Sequence, residues 1–203
     1  MKSSLYEKKH GVYVLALCFL LISGNSSTPL AAAGGAFAIK YPGNQSCREF
    51  VEANRLSGAE NALFLGWLNG YLTGFNRYKE ETVDIAPWQG LRLLTGLLLN
   101  HCQQNPGQTF LSAVEAMAAA LFPNRLKANS ELVIIEGDEK RLQLYRSILM
   151  RVQQSLTELG YYGRQIDGQF DEATESALRA YQQDKAVPVT GLPDQETLYQ
   201  LFR

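Results

Sequence analysis

Ile166-Asp-Gly-Gln-Phe-Asp-Glu-Ala-Thr-Glu-Ser-Ala-Leu178 returns 23 residues later as Val189-Thr-Gly-Leu-Pro-Asp-Gln-Glu-Thr-Leu-Tyr-Gln-Leu201. Each copy reads as a turn feeding a capped helix. The β-branched residue that opens the copy enters a core, and Gly168 or Gly191 turns the chain. Asp171 or Asp194 then stands where a carboxylate meets the free amides and the positive end of a new helix. Thr174 and Thr197 fall at the third helical position, within reach of the capping carboxylate. Leu178 and Leu201 point inward. Ahead of the first copy, Leu142, Tyr145, Leu149, Val152, Leu156 and Leu159 recur by threes and fours up to Gly160. This pattern predicts an amphipathic helix from Asp138 that stops at a glycine. Residues 138–203 are therefore expected to form a three-helix domain.

The run from Val152 through Leu159-Gly160-Tyr161-Tyr162 and Ile166-Asp167-Gly168-Gln-Phe170 to Leu178-Arg-Ala-Tyr181-Gln182, continued by Thr190-Gly191-Leu-Pro-Asp194 and Thr197 to Leu201, resembles the peptidoglycan-binding-like domain. Asp171 where glycine is usual, Tyr181 where phenylalanine is common, and Ala186-Val187 in place of Gly-Leu are mild departures. The resemblance implies a three-helix fold and peptidoglycan as partner. Tyr161, Tyr162, Arg164, Asp167 and Gln182 lie at or beside the turns and are the candidate ligand-binding residues. Aromatic faces cover sugar rings, and Arg pairs with carboxylates bidentately. Asp171 and Asp194 read as helix caps rather than catalysts.

On the N-terminal side, residues 128–137 are expected to be a linker. The apolar run Leu132-Val-Ile-Ile135 interrupts it and receives no assignment from its pattern. Residues 40–127 read as a helical domain of four helices, near 47–56, 61–78, 88–102 and 109–122. Ser46-Cys47-Arg48-Glu49 is a capping box. The second helix carries Ala62, Gly66, Gly70 and Gly74 beside Leu63, Trp67, Tyr71 and Phe75. Small and aromatic rows side by side predict close packing against a neighbouring helix, with the rings as core. Asn61, Asn69 and Asn76 argue against the alternative of a membrane dimerisation face.

The first residues read as an address. Lys2, Lys8 and Lys9 precede the apolar run Val12–Ile22, eleven residues long, well short of the ~20 that span a bilayer. Small residues follow, ending in Ala31-Ala-Ala33. This is the grammar of a secretory signal over residues 1–33, cut after Ala33 or elsewhere within 26–38, and it places the mature chain in the periplasm or outside the cell. Cleavage would remove Cys18 and leave Cys47 and Cys102 as an isolated pair, which an oxidising compartment turns into a disulfide.

The order Cys47, Trp67-Leu-Asn-Gly70-Tyr71-Leu-Thr-Gly74-Phe-Asn76, Cys102-Gln-Gln-Asn105-Pro106 and Ala113 resembles the small exported helical proteins of the HdeA-like group. That group includes acid-stress chaperones and immunity proteins of cell-wall amidases. The expected fold class is thus all-α, a disulfide-stapled four-helix domain followed by the three-helix domain.

Charge and motif content narrow the function. The chain has 19 Lys+Arg against 20 Asp+Glu, and no basic stripe of the kind nucleic-acid binding needs. His101 is the single histidine left after signal cleavage, and neither cysteine has a second one nearby, so no metal or other cofactor is expected. Glu80, Glu81 and Asp84 read as a solvated loop, and no phosphate loop or zinc motif occurs. Two functions follow. The first is a non-enzymatic wall protein that binds peptidoglycan through residues 138–203, with no membrane contact once the signal is gone. The alternative is a periplasmic interaction protein, of amidase-immunity or chaperone type, whose C-terminal unit contacts proteins.

Overall fold

A computed structural model describes residues 36–137 and 141–203. The signal segment proposed for residues 1–33 lies outside the described residues, as do the first positions of the helix expected from Asp138. Helices α1 (Cys47–Leu56), α2 (Ala59–Tyr78), α3 (Leu91–Gln104) and α4 (Phe110–Leu121) come first. A hairpin of β1 (Leu132–Glu136) and β2 (Arg141–Tyr145) follows, and then α5 (Arg146–Glu158), α6 (Glu172–Asp184) and α7 (Gln195–Leu201). The chain is mostly helical, and among the described residues no helix is long and apolar enough to cross a membrane.

The capping box at α1 forms as the sequence dictates. Ser46 Oγ accepts the Glu49 N–H, and the Glu49 carboxylate accepts the Ser46 N–H at 2.7 Å. Cys47, at the start of α1, is bonded to Cys102 near the end of α3. Around this staple, Phe50, Phe64 and Phe110 meet with ring centroids 4.6–5.3 Å apart. Leu68, Leu94, Leu98 and Val114 complete the cluster. The bond closes a loop of 55 residues, for which the chain-entropy relation gives roughly 4 kcal/mol of stabilisation. Protein isolated without reductant should therefore show no free thiol at Cys47 or Cys102 when labelled under denaturing conditions. Two reactive thiols from these positions would contradict the pairing.

The glycine row of α2 does not lie against another helix. A Cβ built on Gly66, Gly70 or Gly74 would have no atom within 4 Å. Phe64, Leu68 and Leu72 make the buried row instead, with Trp67, Tyr71 and Phe75 packed at its margin. The bulky side chains take the core because burial rewards apolar area. The row of small residues, which contributes little such area, faces outward.

The segment expected to be a linker carries β1, and the chain departs from all-α by this two-stranded antiparallel sheet. Pairing with β2 decides it. Val133 and Ile135 point to the core while Leu132 and Ile134 are exposed, and Ile135 pairs with Leu142 and Val133 with Leu144 across the ladder. β-branched residues suit such a half-buried pleat. Leu142 and Tyr145, assigned to a helical stripe in the sequence, belong to β2, and α5 begins only at Arg146. Likewise α3 starts at Leu91 rather than Trp88, which leaves Ala86–Gly90 as an irregular segment.

A second cluster gathers Ile135 and Leu144 of the hairpin with Ile148, Leu149, Val152 and Leu156 of α5 and Leu178, Tyr181, Leu198 and Leu201 of α6 and α7. Residues 37–203 form one unit, and specific bonds join its two clusters. Tyr145 Oη donates to Asp84 Oδ2 at 3.3 Å. The Trp88 ring meets Phe202 edge-on at 5.4 Å.

Candidate functional site

The two copies of the repeat are built alike. Asp171 Oδ1 accepts the Thr174 N–H at 2.8 Å and its hydroxyl at 2.7 Å; Asp194 Oδ1 does the same for Thr197 at 3.0 and 2.8 Å. These bonds satisfy amides that a helix start leaves free. They also hold the Asp171 carboxyl below the usual carboxylate range, chiefly through the Thr174 N–H.

Behind each turn sits a fully buried glutamine, Gln153 on α5 and Gln182 on α6. Gln153 Oε1 accepts the N–H groups of Asp167 and Gly168 at 3.0 and 2.8 Å. Its Nε2 lies 3.0–3.3 Å from four oxygens, on Tyr162, Asp167, Gln169 and Thr174. Gln182 Oε1 accepts the Gly191 N–H at 2.7 Å, and its Nε2 faces Thr190, Leu192 and Thr197. A primary amide is the group that can accept from a turn N–H and donate to a carbonyl and a hydroxyl at once. Each glutamine thus clamps its turn to the helix that follows.

Gly168 and Gly191 sit in the left-handed region, at φ 70° and 71°. A Cβ at Gly168 would lie 2.6 Å from the Arg146 carbonyl oxygen, whereas one at Gly191 would meet only the side chains of Arg179 and Glu175. Backbone cannot retreat as a long side chain can. Gly168→Ala should therefore cost roughly 2–3 kcal/mol and Gly191→Ala about 1 kcal/mol. Equal losses in denaturant melts of the two variants would contradict this account of the turns.

A groove of about 850 Å³ opens between the loop after α5 and the first turns of α6. Tyr161, Tyr162 and Arg164 of the loop line it together with Asp171, Glu172, Ser176 and the alanines Ala173, Ala177 and Ala180 of the α6 segment. Tyr161 is fixed in place: its hydroxyl donates to Asp184 Oδ2 at 2.7 Å, and its ring stands edge-on to Tyr181 at 5.6 Å. The bond to Asp184 raises the phenol's pKa and lowers that of the carboxyl. Arg164 and Glu172 are exposed and join no salt bridge among the described residues.

Of the five candidate binding residues, the structure brings Tyr161, Tyr162 and Arg164 together here and places the other two elsewhere. Tyr162 is only 6% exposed, and its hydroxyl donates to the Gln165 carbonyl, so it supports the wall more than it offers a face. Gln182 is 0% exposed and spends its amide on the second turn, which removes it as a ligand contact. Asp167 is exposed, but its Oδ1 accepts the Gln169 N–H at 2.8 Å. That bond first, and the Gln153 amide next, keep its carboxyl below the usual range. Asp167 therefore shapes the turn. Sequence reasoning missed Gln153, Glu172 and Ser176. Gln153 stands 15 residues before Gly168 but Gln182 only 9 before Gly191, so the glutamines fall out of the repeat's register. Glu172 and Ser176 read as ordinary surface of a capped helix. Among the described residues, no His, Cys, Asp or Glu side chains cluster as metal ligands.

Residues 146–201 match the family model described as "Putative peptidoglycan binding domain". The match begins where α5 begins and ends with α7, so it takes in both repeats and the groove. No curated protein and no solved structure matches the chain.

Proposed function

We propose that this chain is a non-enzymatic, cell-wall-associated protein that binds peptidoglycan in the groove between Tyr161, Arg164 and α6. The observation that carries the reading is the coincidence of the matched family with an open groove lined by Arg164 and Glu172, which are exposed and join no salt bridge among the described residues. The family is a binding domain, not a catalytic one. Everything conserved between the two repeats is spent on caps, turns and core. Arg164, just ahead of the first copy, and Glu172 and Ser176 within it are not, and they line one groove. The secretory grammar of residues 1–33 supports a periplasmic or secreted location, where the wall is within reach.

Co-sedimentation with purified sacculi tests the proposal. The full chain should partition into the pellet saturably, and the bound fraction should fall as salt is raised, because the groove offers ionic groups. Protein that stays in the supernatant at every sacculus concentration would overturn the wall-binding reading.

A further inference from the structure

The two copies of the repeat differ most usefully at the residue just after the cap, which is Glu172 in the first and Gln195 in the second. In the second copy this position is already occupied by a peptide. Gln195 Oε1 accepts the Gly90 N–H at 2.7 Å, and its Nε2 donates to the Trp88 carbonyl, so its amide brackets the backbone around Gln89. The first helical residue of the repeat is therefore placed to hold a peptide backbone by its polar groups. In the first copy the same position opens onto the groove, and no segment of this chain covers it among the described residues.

We infer that the groove recognises the peptide component of the wall rather than its sugar, at a residue that carries a free amine and a carboxylate. The inference rests on the wall-binding reading and deepens it. A glutamine complements a backbone because it both donates and accepts. A glutamate only accepts, so its complement is a group that only donates, an ammonium above all. Arg164, which lines the same groove, only donates, and its complement is a carboxylate, held bidentately. Arg164 and Glu172, which join no salt bridge among the described residues, line one groove with the capping Asp171, and this pair of opposite charges matches a zwitterionic amino-acid centre, such as the side-chain end of a diamino acid in an uncross-linked stem peptide. Ala173, Ala177 and Ala180 add apolar surface to the lining, which suits methyl and methylene groups. Neutral sugar rings have no use for the opposed charges, and the ring that could stack on them, Tyr161, is held by Asp184 and Tyr181.

Calorimetric titration of the full protein tests the inference with three soluble probes. These are a stem tetrapeptide bearing a free diamino-acid amine, the same peptide acetylated on that amine, and a chitin tetrasaccharide. The free peptide should bind, and acetylation should weaken it about ten-fold or more, the scale of one charged contact. Glu172→Gln should bring the two peptides to within about two-fold of each other, while Arg164→Gln should weaken both. Melting curves of both variants should match the parent, since both side chains are exposed. Binding of the tetrasaccharide in place of the peptide, or equal binding of the two peptides to the parent protein, would overturn the inference while leaving wall binding intact. Absence of any binding to the stem peptide would also overturn it. Sacculus sedimentation is scored separately, so loss of that signal alone counts against the function and not against the groove's ligand.

Discussion

Gln153→Leu should be the most damaging conservative substitution in the C-terminal half, costing about 3–5 kcal/mol in denaturant unfolding. Leucine fills nearly the same space and removes the amide. The N–H groups of Asp167 and Gly168 then lose their acceptor, and the Gln169 carbonyl and the Thr174 hydroxyl lose a donor. A buried polar group left without a partner costs about 1–3 kcal/mol, and these groups are enclosed around a side chain with 0% exposure. Gln182→Leu should cost less, because its oxygen accepts one turn N–H rather than two. A Gln153→Leu protein that unfolds within about 1 kcal/mol of the parent would mean that the turn is not held from α5.

Leu178→Ala should cost about 2–5 kcal/mol. Leu178 has 0% exposure and sits among Leu149, Val152, Leu156 and Leu198 in the second cluster. Truncation removes transfer energy and leaves a cavity between α5, α6 and α7 that helices pinned by two clamped turns close poorly. Domains of this size have about 5–15 kcal/mol of stability in all, so the variant should melt early and lose sacculus binding with its fold. Calorimetry or urea unfolding by circular dichroism would check it, and a loss below about 1 kcal/mol would contradict the core assignment.

The legible part of the fold was the part written in local chemistry. Asp171, Thr174, Asp194 and Thr197 announce two helix starts because capping depends on neighbours three residues apart. Cys47 and Cys102 announced their bond through their isolation as a pair. The hairpin was not legible, because Leu142 and Tyr145 fit a helical spacing with Leu149 as well as they fit a strand, and a short apolar run such as Leu132–Ile135 has no period of its own. Its identity comes from pairing with β2, a tertiary fact. A cut at residue 138 would divide this hairpin and strip Ile135 from its ladder partner Leu142, so a C-terminal piece that folds alone should include β1. Tyr161 and Arg164, singled out by the turn they occupy, line the groove after α5. Gln182 was misread because a polar residue next to a motif looks like surface until its partners are known. Tyr162→Ala is accordingly a poor probe of binding, since it opens the core.

The central claim is that the groove of the first repeat carries the affinity for peptidoglycan. Its most direct measure is sacculus co-sedimentation of the full protein beside an Arg164→Ala, Tyr161→Ala double variant, with folding of both verified by circular dichroism. The folded double variant should bind at least about ten-fold more weakly than the parent, a difference of about 1.4 kcal/mol. A folded double variant that sediments with the parent's affinity would contradict it and move the wall-binding surface elsewhere on the chain.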